Sequence, residues 1–148
     1  MGRSLILETT YLIDLEREAR REEPGPAHSL LTREESSALY LTFTVAGELA
    51  AGTSLGERAR WERSLRPFEV LQSSADVSWR YGELYRHLSR NGMLIGTNDL
   101  WIAATALDHD MPLVTNKTAH FARIPQLQLV EYPDDSPAAA GPGVASCP

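Results

Sequence analysis

An α/β fold with a mostly parallel central sheet flanked by helices is what this chain predicts, and three observations carry that expectation. Short apolar runs recur along it, amphipathic stretches of helical length separate them, and Pro and Gly mark the joints. The first run, residues 4–7, suits a buried strand. Thr9 and Thr10 read as an N-cap signal, and Leu12, Ile13 and Leu15 follow at helical spacing before the charged Glu16-Arg17-Glu18. Pro24-Gly25-Pro26 breaks the chain. Residues 27–39 then read as a second helix and residues 39–43 as a second strand, with Thr44 placed to cap the helix that carries Glu48.

Beyond Gly52, residues 55–65 are charged and amphipathic, Pro67 stops them, and residues 68–71 alternate as a short strand does. Residues 76–90 form a long amphipathic pattern ended by Asn91-Gly92. Asn98 or Asp99 opens another helix, whose Ile102, Ala103, Ala106 and Leu107 share one face small enough to pack closely on a sheet. Residues 112–115 read as a buried strand, residues 116–121 as a loop or short turn, and residues 127–130 as an edge strand. From Pro133 onward Pro, Ala, Gly and Ser dominate, so residues 1–132 are expected to form one domain and residues 133–148 a disordered tail.

Composition narrows the function. A chain of 148 residues is long enough for one core of its own. Its apolar runs fall far short of the roughly 18 residues that a membrane helix needs, and Met1-Gly2-Arg3 does not lead as a secretory signal does, so a cytoplasmic, membrane-free protein is expected. Cys147 is the only cysteine, which excludes a disulfide framework or a thiolate metal site. The net charge is −6, with one lysine against thirteen arginines, so any nucleic-acid substrate should be chosen largely by shape.

Three acids break this pattern. Glu8 follows the first apolar run, Glu48 lies among Val45, Ala46, Leu49 and Ala50, and Asp99 stands in front of Leu100-Trp101-Ile102. A carboxylate at the border of a core needs a partner, and no run of Lys or Arg lies near any of the three in sequence. A hard divalent cation, held by oxygen alone, is one candidate. In open parallel sheets ligands bind beyond the carboxyl ends of the strands, which is where Glu8, Glu48, Asp99 and the pair Thr115-Asn116 are expected to converge.

Read in order, these pieces resemble the PIN-domain proteins, and within them the VapC-like toxins of type II toxin–antitoxin systems, over residues 4–132. The resemblance lies in residues 5–15 around Glu8, residues 45–49 with Gly52, residues 95–104 around Asp99, and residues 113–116 with His120-Phe121 and Ile124-Pro125. It implies a PIN-like three-layer fold and an endoribonuclease dependent on Mg²⁺ or Mn²⁺. It also implies RNA substrates such as tRNA or rRNA, a cognate VapB-like antitoxin and a homodimer. Carried over to this chain, Glu8, Glu48 and Asp99 would be metal ligands, and Thr115 and Asn116 would orient ligands or the scissile phosphate. Two departures stand out. Glu8 occupies a position where the family usually has Asp, and no carboxylate lies in residues 116–120 to serve as a fourth acid.

Plainer readings stand beside these. Glu8 can cap the helix that follows it, Asp99 can be an ordinary first-turn acid, and Glu48 is solvated if its face is exposed. Asp14 reads as a solvated or capping residue outside the metal set, Lys117 as an exposed loop lysine, His120 as a turn residue, and Trp79 and Trp101 as core or interface. A PIN fold weakened in catalysis by Glu8, binding RNA or an antitoxin, is the alternative function. A phosphatase or receiver domain lacks its Asp-x-Asp and Gly-rich signatures here, whereas a DNA nuclease differs from an RNA nuclease only in contacts such as those to the 2′-hydroxyl.

Overall fold

The computed structural model describes residues 2–52 and 57–133. Its elements run β1 (Ser4–Leu7), α1 (Thr9–Arg20), α2 (Pro26–Arg33), β2 (Ala38–Thr42), α3 (Phe43–Ala51), α4 (Arg58–Leu65), β3 (Glu69–Leu71), α5 (Ala75–Arg90), α6 (Thr97–Asp108), β4 (Leu113–Val114), α7 (Thr118–Phe121) and β5 (Leu129–Val130). The five strands form one parallel sheet in the order β3-β2-β1-β4-β5. Strand order therefore grows outward from β1 in one direction and restarts on its other side at β4. A topological switch point lies between those two strands, and a crevice opens beyond their carboxyl ends.

The apolar runs supply the central strands because a parallel sheet covered on both faces buries its inner strands on both sides. Leu5, Ile6, Leu7, Leu41, Leu113 and Val114 are fully buried. Helix α6 presents Ile102, Ala103, Ala104 and Ala106 to the same core, all essentially without exposure, as expected of small residues that let a helix approach a sheet. Gly92 ends α5 in the left-handed region (φ +63°), and the Met93 amide reaches back to the Leu88 carbonyl at 2.8 Å.

Several local expectations are corrected. Glu8 itself, rather than Thr9 or Thr10, is the N-cap of α1, with its carboxylate accepting from the Thr10 amide. Thr42, not Thr44, caps α3 by accepting from the Val45 amide, because β2 ends at Thr42 and the helix starts immediately after it. Helix α2 stops at Arg33 instead of continuing to residue 39. The Glu34 carboxylate is held by Arg3 at 2.9 Å and Ser37 at 2.7 Å, which turns the chain so that β2 can lie beside β1. Residues 118–121 form the short helix α7. Trp101 packs against the core, stacked on Tyr81 at 4.0 Å, but Trp79 is 64 % exposed.

The charged end of α1 hides a structural carboxylate. Glu18 is buried and accepts from the amides of Gly25 (2.8 Å), Ala27 (2.9 Å) and His28 (2.9 Å) at the start of α2. Gly25 has no side chain to cap that helix and Pro26 occupies its first turn, so Glu18 supplies the missing acceptor from another helix. At the other end of the described chain Tyr132 is buried edge-on against Tyr11, with ring centroids 5.1 Å apart. The expected tail lies outside the described residues from residue 134 onward. Among the described residues no helix is long and apolar enough to cross a membrane.

Candidate active site

The carboxyl end of β1 continues into Glu8, whose amide donates to the Val114 carbonyl of β4 at 3.0 Å. That bond sets Glu8 on the switch point. Its side chain is 1 % exposed and has three donors: the Thr10 amide (3.2 Å), the Thr10 hydroxyl (2.5 Å) and the Thr115 hydroxyl (2.6 Å). The helix-capping reading of Glu8 and the site reading are thus both realised by one carboxylate. An ionised carboxylate offers about four lone-pair positions, so these three donors leave about one unused.

Glu48 comes from α3 and is half-buried. Its oxygens accept from the Thr9 hydroxyl at 2.5 Å and the Asn98 amide at 3.2 Å. Asp99, in the first turn of α6, is 7 % exposed and lies under the Lys117 ammonium, whose Nζ is 3.2 and 3.3 Å from its two oxygens. His120 Nδ1 lies 3.4 Å from the same carboxylate. Four elements that are far apart in sequence therefore deliver Glu8, Glu48, Asp99 and Thr115 to the carboxyl end of the sheet.

Asn116 is drawn elsewhere. Its side-chain amide lies 3.4 Å from Asp14, which also accepts from the Tyr132 hydroxyl at 2.6 Å and pairs with Arg17 at 3.3 Å. Asp14 is therefore a hub beside the site, although its sequence position reads as a solvated helix residue.

Lys117 is the residue that sequence reasoning placed wrongly. Expected as an exposed loop lysine, it is only 37 % exposed and lies 4.0 Å from Glu8 as well as against Asp99. Burial pulls its ammonium pKa down, but the charge of Asp99, the charge of Glu8, the hydrogen bonds to Asp99 and the charge of Glu48 outweigh that, so the pKa is raised. Its backbone amide is tied to the Thr115 hydroxyl at 3.0 Å. Two shallow depressions flank it. One is lined by Glu48, Gly96, Thr97, Asn98 and Asp99, the other by Thr10, Ile13, Asp14, Arg17 and Asn116, and Lys117 is common to both.

Whether a divalent cation suits these residues has two answers. The donor set fits: three carboxylates and no sulfur make an oxygen-only site for a hard cation. The present spacing does not close around an ion, because among the described residues no three His, Cys, Asp or Glu side chains stand close enough to hold one. Positive charge is already there, carried by Lys117.

Comparison with known proteins gives the family. A model of the PIN domain matches residues 5–127. The chain belongs to the PIN domain family. Relatives of this PIN domain include Ribonuclease VapC2 of Rickettsia felis, 34 % identical over 66 % of this chain and 77 % of that protein. Ribonuclease VapC1 of Methanocaldococcus jannaschii is 29 % identical over 86 % of each chain. Among solved structures, VapBC2 from Rickettsia felis bound to a promoter DNA fragment matches 88 % of this chain and 99 % of that one, with 25 % identity and a TM-score of 0.70. VapBC-1 from nontypeable Haemophilus influenzae matches 86 % and 97 %, with 26 % identity and a TM-score of 0.68. The five-stranded parallel sheet flanked by helices is the PIN-like fold expected from the sequence.

Proposed function

We propose that this PIN domain is the toxin of a toxin–antitoxin pair: a cytoplasmic endoribonuclease that hydrolyses RNA phosphodiester bonds with a divalent cation, Mg²⁺ or Mn²⁺, held by Glu8, Glu48 and Asp99. The observation that carries this reading is the linked set formed beyond the carboxyl ends of β1 and β4 by Glu8, just after β1, Asp99 of α6 and Glu48 of α3: Lys117 lies against both Glu8 and Asp99, and Glu48 is held by Thr9 and Asn98, the neighbours of those two acids. A divalent cation at such a site supplies an activated water and stabilises charge developing on the phosphoryl oxygens. The chain's own residues organise that chemistry. Thr115 and Thr10 fix the Glu8 carboxylate, Thr9 and Asn98 fix Glu48, and His120 lies against Asp99. Asn116 shapes the neighbouring depression through Asp14. The relatives named VapC support RNA as substrate, and the VapBC complexes support a VapB-like antitoxin as partner. A homodimer and a tRNA or rRNA target belong to the same proposal, as does a domain of residues 1–132 with residues 133–148 as its tail.

Incubating antitoxin-free protein with total RNA tests it. Discrete fragments that require Mg²⁺ or Mn²⁺, vanish with chelator and are not made by Asp99→Asn are the expected outcome. Cleavage indifferent to chelator and to Asp99→Asn would overturn it.

One observation favours a second reading, a PIN domain that binds RNA or antitoxin with little catalysis. The Glu8 carboxylate is longer than the family's usual Asp and has three donors already. If that geometry disables the site, Glu8→Asp will raise cleavage sharply. If the chain has adapted to Glu8, shortening the side chain will forfeit the Thr10 and Thr115 bonds and lower it.

A further inference from the structure

We infer that Lys117 is a built-in counter-ion that competes with the divalent cation for the Glu8 and Asp99 carboxylates. The inference rests on the metal-site reading above and concerns what occupies that site before a metal does. Three carboxylates brought to the border of a core repel one another and lose hydration, so the metal-free protein needs positive charge among them. The chain has a single lysine and places it there. Its ammonium meets both Asp99 oxygens at 3.2 and 3.3 Å and approaches Glu8 to 4.0 Å, while its backbone is pinned to Thr115. A short, anchored root with a flexible four-carbon stem lets the charge move without the loop moving. Room for that movement exists, since Lys117 is part-exposed and borders a depression on either side.

The same geometry explains why the three acids are not gathered around one ion in this structure. Two of them, Glu8 and Asp99, are arranged about an ammonium, which accepts longer and less regular contacts than the near-octahedral shell of Mg²⁺, while Glu48 is held apart by Thr9 and Asn98. Metal binding then requires Lys117 to leave, and the apparent affinity is reduced by the fraction of molecules in which the ammonium is still seated. His120 also faces Asp99 and is unchanged in the Lys117 variants, so the competition is assigned to the lysine by changing the lysine alone.

Mn²⁺ titration of the metal-stripped full chain by calorimetry, paired with thermal melting, tests this. Lys117→Gln, with Lys117→Met as a second neutral variant, is expected to bind Mn²⁺ at least tenfold more tightly than the parent chain. Lys117→Arg keeps the charge and should keep the weak affinity. In chelator the neutral variants should melt below the parent, and saturating Mn²⁺ should close that gap, whereas a merely structural loss would leave the gap unchanged. Equal or weaker Mn²⁺ binding by the neutral variants would overturn the competition while leaving the metal site intact. No Mn²⁺ binding by either the parent or the neutral variants would overturn the metal-site reading itself, and the competition with it.

Discussion

The Thr115 hydroxyl donates to the Glu8 carboxylate at 2.6 Å, joining residues 107 positions apart at the carboxyl ends of adjacent parallel strands. Both side chains are essentially without exposure. Through this bond the sheet, rather than a loop, sets the position of the first acid of the site. The same hydroxyl accepts from the Lys117 amide at 3.0 Å, so one side chain organises both the carboxylate and its counter-ion.

Thr115→Val should therefore cost more than its one lost hydroxyl suggests. A buried carboxylate loses a donor and a backbone amide loses its acceptor, for about 1–3 kcal/mol of stability. RNA cleavage should fall tenfold or more as the Glu8 carboxylate loses the one donor that ties it to β4 and keeps only those of Thr10. Urea unfolding and single-turnover cleavage measure the two effects, and Thr115→Ser should restore most of both.

Glu18→Ala is expected to separate stability from the site. It strips three backbone amides of their acceptor at the start of α2, and about 2–4 kcal/mol of stability should be lost. Cleavage per folded molecule should be unchanged, as measured at a temperature where the variant remains folded.

Alkaline pH should unfold the protein through three groups. Burial raises the Tyr11 phenol pKa well above its usual value, helped by the charge of Glu18. Burial, then the bond to Asp14, raises that of Tyr132 further still, and Lys117 is raised by its carboxylates against the pull of burial. In all three the folded pKa exceeds the unfolded one, so their contributions are complete below the unfolded values and are lost as pH climbs past them. The urea midpoint should hold between pH 8 and 9.5 and decline steeply above about pH 10. Tyr132→Phe should flatten part of that decline.

Much of this fold is legible in the sequence because its strands are continuous apolar runs and its helices carry local signals. Residues 4–7 and the Asn91-Gly92 stop needed no tertiary information. Glu8, Glu48 and Asp99 were legible as acids at the edge of apolar segments. Lys117 was not, because its partners lie 18 positions upstream on α6 and at the end of β1, and only the sheet order brings them together. Glu18 looks solvated in Glu16-Arg17-Glu18, and only the fold-back at Pro24-Gly25-Pro26 delivers the amides that it accepts from. Trp79 fits an amphipathic pattern, yet its ring lies outside the core, with the Arg86 guanidinium 5.4 Å above it.

A crystal of the full chain grown or soaked with Mn²⁺ and measured for anomalous scattering would locate the cation directly. A strong peak is expected among Glu8, Glu48 and Asp99, with the Lys117 ammonium displaced from Asp99, and no such peak in Asp99→Asn. A protein that cleaves RNA with Mn²⁺ while its only ordered peak lies away from these three carboxylates would contradict the metal-site reading.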